Sequence, residues 1–119
     1  MELQEQVTEL AEDLKKSQKL FVALGDEVRQ HLIIEMIKLN KYEGIRVGEI
    51  AEKAKLSRSA VSHHLQILKE AGIVSVRREG TRNYYYFDAR DRCELVIQLL
   101  KKVQQIEDMV PKPNLEREW

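Results

Sequence analysis

The sequence predicts an α+β fold that is mainly α, in a single domain with one two-stranded β-hairpin. Apolar residues recur at steps of three and four over most of the chain, which is the spacing of one helix face. Aromatic residues, which favour strands, interrupt this pattern at positions 84–87. With 119 residues and 43% hydrophobic content, the chain is long enough for one compact core.

The N-terminal part of the chain predicts two helices. Leu3, Val7, Leu10 and Leu14 indicate a first helix over residues 2–16. A further helical pattern runs from residue 20 to residue 39, and glycine followed by aspartate at 25–26 interrupts it. A second helix is therefore expected over residues 26–39. The first helix either packs on the core of its own chain or meets a partner chain, and its pattern leaves both open.

The centre of the chain predicts two helices separated by a tight turn. Residues 40–44 form a turn, and an apolar face on residues 47–54 indicates a short third helix that ends near Lys55. Ser57 is suited to cap a fourth helix over residues 58–71, because its hydroxyl can accept from a free backbone N–H. Gly72 is expected to end that helix.

The remaining residues predict a hairpin and a long last helix. Strands are expected within residues 73–87, on either side of a basic tip at residues 77–82. Two apolar rows then indicate a helix over residues 89–109, which Pro111 and Pro113 close. The tail from residue 112 is expected to be loosely ordered, although Trp119 has the chemistry to cover an apolar groove.

The charges are segregated along the chain even though they sum to zero. Residues 1–43 carry 6 Lys/Arg against 9 Asp/Glu, residues 44–90 carry 9 against 5, and residues 91–119 carry 5 against 6. A binding face depends on local charge, so the central third is the expected nucleic-acid footprint. The acidic ends are expected to serve another purpose.

Several classes of protein are excluded by composition. No segment reaches the roughly 18 to 20 apolar residues of a membrane span, and no signal core precedes the first helix. We therefore expect a soluble, cytoplasmic protein without a membrane partner. Cys93 is the one cysteine, which excludes an internal disulfide. An enzyme is not expected, because no nucleophile with a base, paired acids or phosphate-binding glycine loop can be assembled.

The fourth helix and the hairpin carry the residues expected to contact duplex DNA. Small polar and basic side chains on a helix allow close approach to base edges and phosphates in the major groove. The hairpin tip would lie along the neighbouring minor groove or phosphates. The predicted DNA-binding residues are Ser57, Arg58, Ser59, Ser62, His63 and Gln66 on the helix, with Arg78, Thr81 and Arg82 on the hairpin.

Residues 20–88 resemble the ArsR/SmtB family of bacterial repressors. The resemblance is carried by residues 24–29 (LGDEVR), by residues 47–74 through the turn and fourth helix, and by residues 78–85 (REGTRNYY). It implies a winged helix-turn-helix with N- and C-terminal dimerisation helices and a two-stranded β-hairpin wing. It further implies a homodimer that represses transcription from a pseudo-palindromic operator, with half-sites roughly 34 Å apart.

The sequence departs from the family at its metal sites. Sensors in this family often have two cysteines on the third helix, where this chain reads VGEIAE at residues 47–52. A second family site needs histidines on the last helix, which begins here with Asp91-Arg92-Cys93-Glu94 and contains none. We therefore expect no cofactor and a metal-independent repressor, with any small effector left open. Of the three histidines, His31 and His64 are interpreted as packing residues and His63 as facing DNA.

Alternatives remain at the level of function. Cys93 is interpreted as small apolar filler, with a redox role as the other possibility. A metal- or redox-responsive repressor would use Cys93 or a site between two chains. A winged-helix module that binds another protein would show no salt-dependent DNA affinity.

Overall fold

The computed structural model describes residues 2–113, which form six helices and two strands. The predicted tail role of Trp119 lies outside the described residues. The predicted helices and hairpin are confirmed, with a short helix in addition that ends at the predicted interruption. The elements are α1 (Leu3–Lys16), α2 (Gln18–Leu24), α3 (Glu27–Leu39), α4 (Val47–Ala54), α5 (Arg58–Glu70), β1 (Val74–Glu79), β2 (Arg82–Phe87) and α6 (Arg90–Met109).

The chain divides into two compact units. The central unit comprises Gln18–Cys93, and the described part of the terminal unit combines residues 2–17 with residues 94–113. The break between α1 and α2 falls at Ser17, directly after the predicted end of the first helix. The Ser17 backbone N–H donates to the carbonyls of Asp13 and Leu14, and its hydroxyl donates to Asp13 at 2.9 Å. Ser17 is the C-cap of α1, and these bonds satisfy carbonyls of the last turn of the helix.

The core of the central unit lies between α5 and the elements around it. Helix α5 packs against α2, α4 and β1, while α3 packs against α2 and α4. Burial removes the apolar side of each helix from water, which is the main favourable contribution to folding. The fully buried side chains of this core include Leu32, Met36, Ile50, Val61, Leu65 and Leu68.

The stretch 24–29 has a structural purpose at the junction of α2 and α3. The Asp26 carboxylate caps α3 by accepting from the backbone N–H of Arg29 at 3.0 Å, and this hydrogen bond lowers the pKa of Asp26. The Arg29 side chain, only 8% exposed, donates to the carbonyls of Ala23 at 2.7 Å and Val22 at 3.1 Å. Arg29 therefore provides hydrogen bonds to two carbonyls at the end of α2, next to the start of α3.

The hairpin is joined by a third segment of chain. Strands β1 and β2 pair antiparallel from Val74 opposite Phe87 to Glu79 opposite Arg82. Ile45 adds a backbone bridge to Tyr85, with both N–H···O distances at 2.8 Å. The sequence pattern places residues 40–44 in a turn but does not reveal this bridge, which ties the segment before α4 to the wing.

The terminal unit has very little core of its own. Helix α1 has no buried residue, and Leu99 is the buried side chain of α6. Lys102 of α6 forms ion pairs with Asp13 and Glu9 of α1, and its hydrogen bond to Asp13 raises the pKa of the Lys102 amine. Large apolar side chains stay exposed on both helices: Leu3, Val7, Leu14, Ile97, Leu100 and Met109.

No helix within residues 2–113 is both long enough and apolar enough to cross a membrane.

Candidate nucleic-acid interface

Helix α5 is held in place by one capped end and one apolar face. The Ser57 hydroxyl accepts from the backbone N–H of Ala60 at 3.1 Å, which confirms the predicted cap. Val61, Leu65 and Leu68 are fully buried. At the other end Gly72 takes a φ of +79°, as a glycine ending a helix often does. These contacts orient the opposite face of the helix towards solvent.

The exposed face of α5 contains the side chains predicted to contact DNA. All of the helix positions in that prediction are exposed: Ser57, Arg58, Ser59, Ser62, His63 and Gln66. Three of them already have intramolecular partners. Ser57 caps the helix, and its hydroxyl lies 3.3 Å from the Ser59 hydroxyl. The Gln66 amide donates to Glu70 at 3.1 Å. Contact of these residues with DNA stays a prediction.

The wing places its two predicted arginines on opposite faces. Arg78 pairs with Asn83 across the hairpin, and Arg82 pairs with Glu79. Neighbouring positions of a strand point to opposite faces, so Arg78 and Arg82 cannot bind the same phosphate from one side. Arg78 also donates to the Gly80 carbonyl at 3.0 Å, while Thr81 is exposed between the strands.

Arg77 is the basic residue of the wing that stabilises its own fold. Its guanidinium lies 4.6 Å from the centre of the Tyr84 ring and 3.0 Å from Glu79, and it donates to the Glu43 carbonyl at 3.2 Å. These contacts engage both terminal nitrogens of the guanidinium and one of its faces. The basic tip therefore consists of Arg77, which stabilises the hairpin, and of Arg78 and Arg82, which form no ion pair within residues 2–113 and are available to bind a ligand.

Ion pairing separates the basic residues into two groups. Within the described part of the chain, ion pairs involve Arg29, Lys38, Lys41, Arg77 and Lys102. The arginines of α5 and the wing tip, Arg58, Arg78 and Arg82, are outside these pairs. Guanidinium groups without an ion pair on an exposed face are suited to bind phosphates, because no internal ion pair has to break when they do so.

A cleft between α4, the start of α5 and the wing contains basic and polar residues that the DNA-site prediction omits. It has a volume of about 500 Å³, and its lining includes Arg46, Gly48, Arg58 and Asn83. Glu49 and Glu52 also line it, and Glu49 is ion-paired with Lys41. Arg46 lies in the basic third of the sequence, and this is the signal that could have identified it. Asn83 has no comparable signal, because only the strand register brings it to the cleft.

The histidines fit three different environments. His31 Nε2 is 3.0 Å from the Ala54 carbonyl, which agrees with a packing role. His64 is half-buried with Nδ1 3.5 Å from Arg29, a partner that the sequence pattern does not reveal. His63 is exposed on the predicted DNA face. Across residues 2–113 there is no group of three or more His, Cys, Asp or Glu able to hold a metal ion.

Cys93 corrects one interpretation made from the sequence. It was interpreted as small apolar filler, but its side chain is exposed, so it fills no core of this chain. Cys93 lies in the first turn of the last helix, before its apolar rows begin. The periodicity of those rows therefore does not predict whether Cys93 is buried. Its possible redox role is untested.

A helix-turn-helix with an exposed polar second helix, followed by a basic two-stranded wing, defines a DNA-binding winged-helix transcriptional regulator. Comparison with known proteins agrees. The model of the arsR family of bacterial regulatory proteins matches residues 37–76. An uncharacterised HTH-type transcriptional regulator of Methanocaldococcus jannaschii is 37% identical over 92 residues, which cover 77% of this chain and 99% of that protein.

Two further relatives extend the match. The transcriptional repressor SdpR of Bacillus subtilis is 36% identical over 66 residues, or 56% of this chain and 69% of the repressor. A homodimeric winged helix-turn-helix DNA-binding domain of Mycobacterium bovis has a solution structure with a TM-score of 0.56. It is 26% identical, and the match covers 91% of this chain and 93% of that domain. The chain belongs to the ArsR/SmtB family.

Proposed function

We propose that this protein is a homodimeric repressor that binds a specific operator without a metal ion. The observation that carries the proposal is the two-sided character of α5. One side is fully buried through Val61, Leu65 and Leu68, and the other is exposed, polar and basic. A helix held in this way can enter the major groove without rearrangement of the core.

The terminal unit supports the homodimer. Several large apolar side chains of its two helices are exposed, and a pair of helices that buries only Leu99 is marginal alone. A second copy would cover the same apolar rows on both chains, as expected for a two-fold interface. The Mycobacterium bovis relative is homodimeric, and the Bacillus subtilis relative is a repressor.

The side chains of the interface divide by the chemistry they can offer. His63, Ser62 and Ser59 lie on the exposed face of α5, where short polar groups reach base edges. Arg78 and Arg82 extend from the wing and carry unpaired charge, which suits the phosphate backbone. Specificity is therefore assigned to α5 and general affinity to the wing.

The test begins with selection of DNA fragments by the purified protein, followed by fluorescence anisotropy on the selected operator and a scrambled duplex. His63→Ala is expected to weaken operator binding by about 1–3 kcal/mol and to leave scrambled binding nearly unchanged. Arg82→Ala is expected to weaken both equally and to reduce the salt slope by about one. Absence of operator preference at every salt concentration would contradict the proposal and favour a protein-binding module.

Metal independence has its own measurement. Operator affinity is expected to be the same after treatment with a chelator and after addition of zinc, copper or cadmium. A change of tenfold or more, which is about 1.4 kcal/mol, would instead indicate a metal-responsive repressor.

A redox-responsive repressor is the second candidate, favoured by the exposure of Cys93. Exposed thiols are open to oxidation and to exchange. Mild oxidation followed by non-reducing electrophoresis and operator binding would reveal this behaviour, with Cys93→Ser as the control. If neither assay distinguishes the two proteins, the redox form is excluded.

A further inference from the structure

Gly48 lies directly beneath the guanidinium of Arg58. A Cβ atom at position 48 would lie 2.9 Å from Arg58 Nη2 and 3.1 Å from Arg58 Cζ. The first distance is shorter than any normal contact, so the side chain of Arg58 would have to move. The guanidinium therefore lies against the backbone of α4 because position 48 has no side chain.

The backbone of α4 does not itself require a glycine at this position. Gly48 is the second residue of a regular helix, outside the left-handed φ values found at Gly44, Gly72 and Gly80. Within a helix glycine is less favourable than alanine. The close approach of Arg58 is thus the structural feature that distinguishes glycine from alanine here.

The position of the guanidinium indicates what it binds. Arg58 lies in the cleft at the start of α4, which Arg46, Asn83, Glu49 and Glu52 also line. Glu49 is ion-paired with Lys41, whereas Arg58 has no ion-pair partner among the described residues. In helix-turn-helix proteins the first helix crosses the DNA backbone, and the N-terminal residues of the second helix contact base edges. Arg58 is the first residue of α5, but its guanidinium is turned onto α4 and away from the exposed face of α5. A planar guanidinium over the first helix is therefore placed to bind a phosphate through two donors.

We infer that Gly48 is a positioning residue that leaves room for the Arg58 guanidinium on α4, where Arg58 contacts a DNA phosphate and not a base edge. The inference rests on the proposed DNA-binding function. It assigns Arg58 to backbone contact, a choice that the sequence leaves open, and it adds a residue of the first helix to those that determine DNA affinity.

The test is a cycle of Gly48→Ala, Arg58→Ala and the double variant in the wild-type full chain. Arg58→Ala is expected to weaken operator and scrambled binding by the same factor, about tenfold at low salt, and to lower the salt slope by about one. Gly48→Ala is expected to weaken both by about three- to tenfold, since the guanidinium is displaced and not removed. In the Arg58→Ala background, the same glycine change is expected to have almost no further effect.

Two readouts separate positioning from a general structural effect. The melting temperature of Gly48→Ala is expected to equal or exceed that of the wild type, because alanine favours the helix. The Arg58 Nε–Hε signal of the free protein is expected to shift in the ¹H–¹⁵N spectrum of Gly48→Ala. Weaker binding together with a higher melting temperature cannot be produced by partial unfolding.

The outcomes that overturn the inference differ from those that overturn the proposed function. Loss of operator binding alone in Arg58→Ala would assign Arg58 to a base edge. An equal loss from Gly48→Ala with and without Arg58 would show that Gly48 acts elsewhere, and no loss in either single variant would reject the contact. Absence of salt-dependent DNA binding by the wild type would instead reject the proposed function itself.

Discussion

The central unit and the terminal unit contain the same kind of amphipathic helix, but only the central unit buries the apolar faces. Among the described residues, every buried apolar side chain except Leu99 lies in the central unit. Helices α3, α4 and α5 each bury several residues, whereas α1 buries none. The same spacing of apolar residues therefore produces a closed core in one unit and an uncovered surface in the other.

The two units also use charge differently. In the terminal unit Lys102 is ion-paired with Asp13 and Glu9, so its charge serves contact between helices. In the central unit Arg58, Arg78 and Arg82 remain outside the ion pairs of the described chain. These differences support the proposal that the terminal unit associates with a second copy and that the central unit binds DNA phosphates.

The largest expected effect is on the core of the central unit. Leu65→Ala is expected to lower the free energy of unfolding by about 2–5 kcal/mol, because Leu65 is fully buried and its removal leaves a cavity. Ile37→Ala, at an exposed position of α3, is the matched control and is expected to change it by about 0.5 kcal/mol or less. Urea unfolding followed by circular dichroism measures both, and equal losses would contradict the assignment of the core.

The next effect concerns association through the terminal unit. Leu100 is 55% exposed on α6, and Leu100→Asp is expected to weaken the homodimer by about 10- to 100-fold by placing a charge in an apolar interface. Gln98→Asp adds the same charge on another side of the helix and is expected to have little effect. Sedimentation across a dilution series measures the dimer constant. A monomeric wild type, or a dimer unaffected by Leu100→Asp, would remove the terminal unit from the interface.

A smaller effect separates capping from DNA contact at the start of α5. Ser57→Ala is expected to lower the free energy of unfolding by about 1 kcal/mol, since its hydroxyl caps the helix. Ser59→Ala removes an exposed hydroxyl that makes no cap and is expected to leave thermal unfolding unchanged. If both variants unfold like the wild type, the Ser57 cap does not contribute to stability.

The smallest effect is the pH dependence of the terminal unit. The hydrogen bond to Asp13 raises the pKa of Lys102, so the pairing stabilises the folded chain fully below the ordinary lysine pKa of about 10.4. The contribution is expected to disappear as the pH rises through the higher pKa of the folded state. Between pH 8 and pH 11.5 the melting temperature should therefore fall slightly more for the wild type than for Lys102→Gln. Identical declines would show that the pair does not contribute.

The sequence predicted most of the fold because its elements are marked by local chemistry. Ser57 and Asp26 have short polar side chains that cap helices, and Gly72 adopts the backbone that ends one. Features that depend on distant residues were missed, including the bridge between Ile45 and Tyr85 and the contact of Arg29 with His64. No local pattern records which residues meet across the fold.

The same contrast between local patterns and distant contacts applies to the candidate site. The periodicity of α5 was sufficient to place Arg58, Ser62 and His63 on an exposed face, since helix geometry alone decides which residues share a side. The grouping of the basic residues needed the structure. In the sequence Arg77 cannot be distinguished from the other arginines of the wing. Its contact with Tyr84 shows that it stabilises the wing.

The sequence by itself determined the order of the hairpin and of every described helix except α2, the capped starts of α3 and α5, and the location of the basic third, because these follow from neighbours in the chain. Only the tertiary structure decided that Arg78 and Arg82 lie on opposite faces and that Arg58 rests on Gly48. Those arrangements depend on strand register and on the packing of α5 against α4, which bring together residues that are separated in the sequence.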